Sequence, residues 1–197
     1  YLNNIITNNI EQVNTETSIY SCLLTPQGKF LADFFITYFE DGYFLLVHSK
    51  FLENLIKGLN FYKLRSKINI EDISHLYKYC FIPNPEIDTI FGTNILNLGY
   101  TTIDNSSYAF IDPRIANLGA HIVTSDNSIG KNELELVEDD CLEHFLSHGL
   151  LSMYLIEDLS KFYPLENNLH MLNAIDFKKG CYVGQELTAR MKLRNKI

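Results

Sequence analysis

The densest group of chemically capable residues is Lys178-Lys179-Gly180-Cys181-Tyr182-Val183-Gly184-Gln185-Glu186. A cysteine attacks and binds metal as its thiolate, a form favoured by adjacent ammonium groups or a helix N-terminus. Lys178 and Lys179 immediately precede Gly180 and Cys181, so the spacing predicts an accessible thiol at Cys181 with a depressed pKa and Lys179 as its electrostatic neighbour. Gly180 and Gly184 let the backbone turn or approach a ligand closely. If Gly184 opens a helix, Glu186 lies in its first turn and pairs with Arg190 one turn later. The plainer alternative is a glycine-bounded loop around a small, buried, inert cysteine.

Other residues offer weaker chemistry. Cys141, His144 and His148 are spaced to share one helix face, and a thiolate with two imidazoles is a zinc- or iron-type ligand set. No fourth ligand is evident, so the expectation is a polar, solvated face and no metal. Asp33 lies on an aromatic strand, where it points either into a pocket or to solvent. Arg65 and Lys67 could anchor an anionic ligand by charge-assisted bonds or simply line a solvated face. Lys192, Arg194 and Lys196 alternate with Met191, Leu193 and Asn195, which reads as a strand with one basic face.

These residues need a scaffold. Ser18 to Thr25, Phe30 to Glu40 and Tyr43 to His48 read as strands, with a stop at Pro26-Gln27-Gly28 and a hairpin turn at Asp41-Gly42. Leu52, Leu55, Ile56 and Leu59 then fall at helical spacing after Ser49, a reasonable N-cap. Strand-like runs return at Lys67 to Ile70 and Leu76 to Ile82. Pro83-Asn84-Pro85 suggests a subdomain boundary. Beyond it, strands are expected within Ile95 to Thr102, at Tyr108 to Ile111 and at His121 to Thr124, with turns at Asn105-Ser106-Ser107 and Asp112-Pro113-Arg114. After a polar loop from Ser125 to Lys131, a helix is expected beyond Asp140, with Leu142, Phe145, Leu146, Gly149 and Met153 on its apolar face.

Composition narrows the class. Of 197 residues, 46% are hydrophobic, which fits a globular chain rather than a disordered one. No stretch approaches the roughly 18 apolar residues of a membrane-spanning helix. Sixteen basic against 24 acidic residues give a net charge of −8, a poor match to phosphate-neutralising nucleic-acid binders. The four cysteines are far apart, without a C-x-x-C pair, which suits a reducing compartment. Tyr1 and Ile197 read as cuts through a longer protein, which leaves targeting segments open.

The run from Lys179 to Glu186 resembles the K-G-C-[YF]-x-G-Q-E signature of the YgfZ family, folate-binding relatives of the glycine-cleavage T-protein tied to iron–sulfur cluster maintenance. Further matches follow in order along the chain. Leu2 to Asn9 is similar to L-Q-x-x-x-T-N-D, with Asn9 in place of Asp. Gly28 to Asp33 is similar to G-[KR]-x-x-x-D, and Tyr62 to Ile68 to Y-x-L-R-S-K-V. Asp112-Pro113-Arg114 with Leu118-Gly119 resembles D-P-R-x-x-x-L-G, and Phe162 to Leu169 resembles F-P-x-E-x-N-L. The chain departs from the pattern at His121, where the family usually has Arg. It departs again at Phe145 and Ser147, where T-proteins carry the two charged residues of R-x-E-x-G, and at Leu151 in place of a proline.

The resemblance implies an α+β protein: two intertwined antiparallel sheet-plus-helix subdomains of the glycine-cleavage T-protein-like fold, residues 1–82 and 83–190. Residues 191–197 would begin a C-terminal β-barrel that is otherwise missing. It implies a folate-binding accessory protein for iron–sulfur cluster assembly or repair, including clusters of tRNA-modifying enzymes. Cys181 would be the functional thiol beside Lys179. Tetrahydrofolate would lie in a cleft shared by Asp33, Arg65, Gly180, Tyr182, Gly184, Gln185, Glu186 and Arg190. The expected partners are folate and iron–sulfur carrier or client proteins, with neither nucleic acid nor membrane. The expected setting is a bacterial cytoplasm, with the mitochondrial matrix left open. An aminomethyltransferase of the T-protein type, or a scaffold that has lost folate binding, are the alternatives.

Overall fold

The computed structural model describes residues 1–39, 41–83, 97–103, 107–125, 138–150, 155–156 and 161–194. The first sheet is an antiparallel meander of β1 (Ile19–Leu24), β2 (Phe30–Phe39) and β3 (Gly42–Val47). Alternation from Phe30 to Ile36 along β2 decides its two faces. Ala32, Phe34 and Ile36 are buried toward α1 (Ser49–Lys63), whose Phe51, Leu55 and Leu59 recur every four residues. The helix is capped by the ring of His48, which accepts from the Lys50 amide at 3.1 Å, and not by Ser49.

The opposite face of β2 carries Asp33 and Phe35, and it meets a second antiparallel sheet. That sheet is ordered β4-β7-β6-β5, built from β4 (Lys78–Pro83), β5 (Thr101–Ile103), β6 (Ser107–Ile111) and β7 (Gly119–Thr124). Aromatic rings fill the space between the sheets. Phe35 lies 5.4 Å from Phe110 and 4.4 Å from His121, and Phe44 lies 5.1 Å from Tyr108. Main-chain bonds from Ser18 to Gly99 and from Thr101 to Glu16 also tie the two sheets.

The two halves exchange chain. Strand β4 pairs with β7, so the change of sheet falls between α1 and β4. Residues after 161 return to the first sheet, where Leu169, Ala174, Ile175 and Tyr182 join the core built on β1, β2 and α1.

Three local expectations are corrected. Lys67 to Ile70 forms no strand; its backbone runs as an irregular segment, with the single-turn helix Ser74–Leu76 before β4. Met191–Arg194 is the last turn of α3 (Gln185–Arg194), not a strand, because the run that begins at Gln185 carries no breaker. On α2 (Glu138–Ser147), Cys141 and Phe145 pack on Phe81, Leu118 and Leu150, while Leu146 is 51% exposed. The expected apolar face is therefore turned. Asn84-Pro85, Ile95, Asn105-Ser106, most of the polar loop after Ser125, Leu151, Met153, Asn195 and Lys196 lie outside the described residues.

Candidate functional site

The segment around Cys181 is pinned at both ends. At its start, the Lys179 ammonium donates to the carbonyls of Asn3 at 2.6 Å, Ile6 at 2.7 Å and Asn8 at 2.8 Å. An ammonium has three protons, and all three are used. Lys179 is only 9% exposed, and burial pulls its pKa down to about 8. It is thus a structural clamp on the N-terminal turn. Tyr182 follows it into the core, its ring centre 5.2 Å from the ammonium.

At the other end, Gly184 has φ +81° and lies against the β1–β2 turn. A Cβ there would stand 2.6 Å from the Thr25 carbonyl oxygen and 2.9 Å from Gly28 Cα. Only glycine satisfies both the backbone angle and the contact. Gly180 is different: a Cβ there would meet nothing within 4 Å. Between the pins Cys181 is exposed, whereas Cys22 and Cys80 are buried and Cys141 is partly buried. Burial raises the Cys80 pKa to about 11 and drives that of Cys22 up as well, with the Asp33 charge adding to the latter. Helix α3 then starts at Gln185, and the expected pair forms, with Arg190 donating to Glu186 at 2.9 Å on the surface.

A second, buried constellation sits between the sheets. Asp112, fully buried, receives two guanidinium nitrogens of Arg114, at 3.0 Å on Oδ1 and 2.7 Å on Oδ2. It also accepts the Nε2–H of His121 at 2.8 Å, while Tyr79 donates its hydroxyl to His121 Nδ1 at 3.0 Å. Burial alone would raise the Asp112 pKa, but Arg114 and His121 together hold it well below the usual carboxylate range. Burial lowers the His121 pKa against the pull of Asp112, which matches a neutral ring protonated at Nε2. The Arg114 guanidinium is walled by Phe35, Tyr20 and Phe145, at 4.9, 5.4 and 5.4 Å from their ring centres.

This cluster borders a cavity of about 1230 Å³, large for a ligand pocket, whose usual range is about 300–1,000 Å³. Its lining includes Asp33, Tyr20, Phe35, Arg114 and His121. Asp33 accepts the Tyr20 hydroxyl at 2.5 Å, and burial raises its pKa, with Tyr20 and Arg114 partly opposing. The pocket-facing alternative for Asp33 therefore holds.

Of the residues expected to share a cleft, Asp33 lines this cavity. Gly180, Tyr182, Gly184, Gln185, Glu186 and Arg190 are absent from the cavity wall, as is Arg65, which is exposed beyond the end of α1. Lys67 does reach the wall. The Gly28–Gly184 contact docks the thiol loop on the β1–β2 turn, and Gly28 precedes Asp33 by five residues. On the Cys141, His144 and His148 face, His144 turns inward and donates Nε2–H to the Leu118 carbonyl at 2.6 Å, while His148 stays exposed with its ring centre 4.5 Å from that of His144. Among the described residues, no three His, Cys, Asp or Glu side chains are grouped to hold a metal ion.

Sequence reading treated Asp112-Pro113-Arg114 as a turn and missed its buried ion pair. The available signal was two opposite charges bracketed by the apolar runs Tyr108–Ile111 and Leu118–Val123, with His121 inside the second. The Thr7-Asn8 pair was also given no role. Thr7 donates to the Ala174 carbonyl at 2.6 Å, and the Asn8 amide donates to the carbonyls of Tyr20 at 2.8 Å and Asn173 at 2.7 Å. They join the N-terminal turn to the segment that leads into the thiol loop.

No family model matches the chain. It is similar to proteins named iron-sulfur cluster assembly factor IBA57 homolog, mitochondrial. The one from Mycosarcoma maydis is 31% identical over 205 residues, covering 96% of this chain and 48% of that protein. The one from Neurospora crassa is 29% identical over 218 residues, covering 100% and 47%. The human iron-sulfur cluster assembly factor IBA57, mitochondrial, is 29% identical over 185 residues, covering 87% and 49%. The chain thus spans about half the length of the curated relatives it matches.

Proposed function

We propose that this protein is an accessory factor in iron–sulfur cluster assembly, of the YgfZ type, and that Cys181 is the residue it presents to the cluster. What carries the reading is the exposed thiol held between two fixed points, in a chain similar over nearly its whole length to named assembly factors. One cysteine supplies one ligand, and clusters are usually held by about four. The remaining ligands would come from a carrier or client protein docked on the loop, including carriers that supply tRNA-modifying enzymes. The names of the relatives favour the mitochondrial matrix over a bacterial cytoplasm as the setting. Transfer of cluster from a carrier to an apo-client, with and without this protein, tests the role; a transfer rate unchanged by its addition counts against it.

Tetrahydrofolate belongs to the same proposal as the occupant of the inter-sheet cavity. The aromatic walls suit a flat heterocycle, and the Asp33 carboxyl, raised in pKa, suits its ring nitrogens. The T-protein manner of recognition has no support here, because Phe145 places a ring on Arg114 where that pattern would carry a charged side chain. This weighs against the aminomethyltransferase alternative. Calorimetric titration with tetrahydrofolate decides between a ligand-binding protein and a scaffold. Binding that Asp33→Asn weakens and Arg65→Gln leaves intact supports the cavity; no heat with the wild type supports the scaffold.

A further inference from the structure

We propose that the C-terminal end of α1 is a membrane-contact site for anionic lipid bilayers, with Phe61 and Leu64 entering the interface and Lys63, Arg65 and Lys67 meeting the headgroups. Phe61 is 74% exposed and Leu64 88% exposed, the most exposed large apolar side chains here apart from Leu193. Phe61 lies in the last turn of α1 and Leu64 just past its end, three residues on. Neither serves the core, since Phe51, Leu55 and Leu59 already supply the buried stripe of α1. Phe61 follows Leu59 by two positions, roughly 200° around the helix, on the solvent side.

The backbone adds an independent observation. Leu64 has φ +47° and ψ −115°, a conformation that non-glycine residues avoid. Leu64 is the C-cap residue at which α1 ends, and this conformation leaves a bulky apolar side chain in water.

Charge indicates the occupant. Lys57 to Lys67 contains four cations and no acid, in a chain of net charge −8. Lys57 pairs with Glu53 on the helix surface at 2.5 Å. Lys63, Arg65 and Lys67 enter no ion pair among the described residues. A protein interface of ordinary size buries about 800 Å² per partner around a packed centre. Two side chains projecting from a helix end offer no such centre. A fluid bilayer needs no preformed complement: apolar tips ringed by Lys and Arg partition into it, and anionic headgroups strengthen the attachment. Binding of this size is weak, reversible and screened by salt.

Flotation with phosphatidylcholine vesicles, with and without cardiolipin, tests the site. The protein should float with cardiolipin vesicles and bind neutral ones at least about tenfold more weakly, with the difference collapsing at high salt. Phe61→Ser with Leu64→Ser should cut binding to anionic vesicles by about tenfold or more while leaving the melting transition in place. Arg65→Glu with Lys67→Glu should abolish it, and Lys178→Glu, on the thiol loop, should not. Equal binding to both vesicle types, no binding to either, or loss with Lys178→Glu alone overturns the proposal. So does retention on an acidic protein partner, lost with Phe61→Ser and Leu64→Ser, if vesicles are not bound.

Discussion

The ammonium of Lys179 lies 2.8 Å from the carbonyl oxygen of Asn8, 171 residues away in sequence. With its bonds to Asn3 and Ile6, this contact makes Lys179 the knot that ties the C-terminal loop to the N-terminal turn. The positive charge two residues before Cys181 therefore acts on architecture, through the position it gives the loop.

Lys179→Met should be costly. It removes three charge-assisted bonds and leaves carbonyl groups without their donor, a loss of about 3 kcal/mol or more in urea unfolding. The loop should also loosen, so the rate of Cys181 alkylation in the native state should change along with stability. A variant as stable as the wild type would show that the clamp carries no weight.

The two glycines of the motif should behave oppositely. Gly184→Ala forces a Cβ against the Thr25 carbonyl at a positive φ and should destabilise by about 1–3 kcal/mol. Gly180→Ala meets open space and should stay within about 0.5 kcal/mol of the wild type. Paired thermal melts check both, and equal costs would contradict the assigned contact.

The pH dependence of stability should carry a signature of His121. Its folded pKa is depressed by burial, so below about pH 6.5 the unfolded chain takes up a proton that the folded one refuses. Stability should therefore fall as pH drops from about 6.5 toward the folded pKa, by at most about 1.4 kcal/mol per pH unit from this group. His121→Gln should flatten the profile there, though it starts from lower stability. His170, also lowered by burial, remains in both proteins. Identical slopes in the two would remove His121 from the account.

Thiol accessibility gives an ordering. Iodoacetamide footprinting near neutral pH should label Cys181 first, Cys141 next, and Cys80 and Cys22 slowest, because the last two are buried and their pKa values are raised. Labelling of Cys22 ahead of Cys181 would contradict the fold around β1.

Periodicity carried much of the scaffold. The first three strands, the hairpin at Asp41-Gly42, helix α1 and the strands at Tyr108 and His121 all emerge within a few residues of where alternation and helical spacing place them. It failed where tertiary contacts decide. Lys67 to Ile70 alternates like a strand but finds no partner strand. The Lys192–Arg194 stretch alternates too, yet it continues a helix already begun at Gln185. The exposed cysteine and the Glu186–Arg190 pair followed from local spacing. The direction of the Lys179 side chain did not, because its acceptors lie in residues 3 to 8. The Asp112–Arg114–His121 cluster was hidden for a similar reason: its burial depends on Phe35 and Phe145, which arrive from other elements.

The central claim is that Cys181 is the contact between this protein and an iron–sulfur cluster. Its most direct measurement is anaerobic cluster loading together with a candidate carrier, read by absorbance and by iron and sulfide bound per complex, for wild type, Cys181→Ser and Cys141→Ser. The account predicts that Cys181→Ser lowers cluster retained in the complex to the level of the carrier alone, while Cys141→Ser matches the wild type. Full retention with Cys181→Ser, or loss with Cys141→Ser alone, would contradict it.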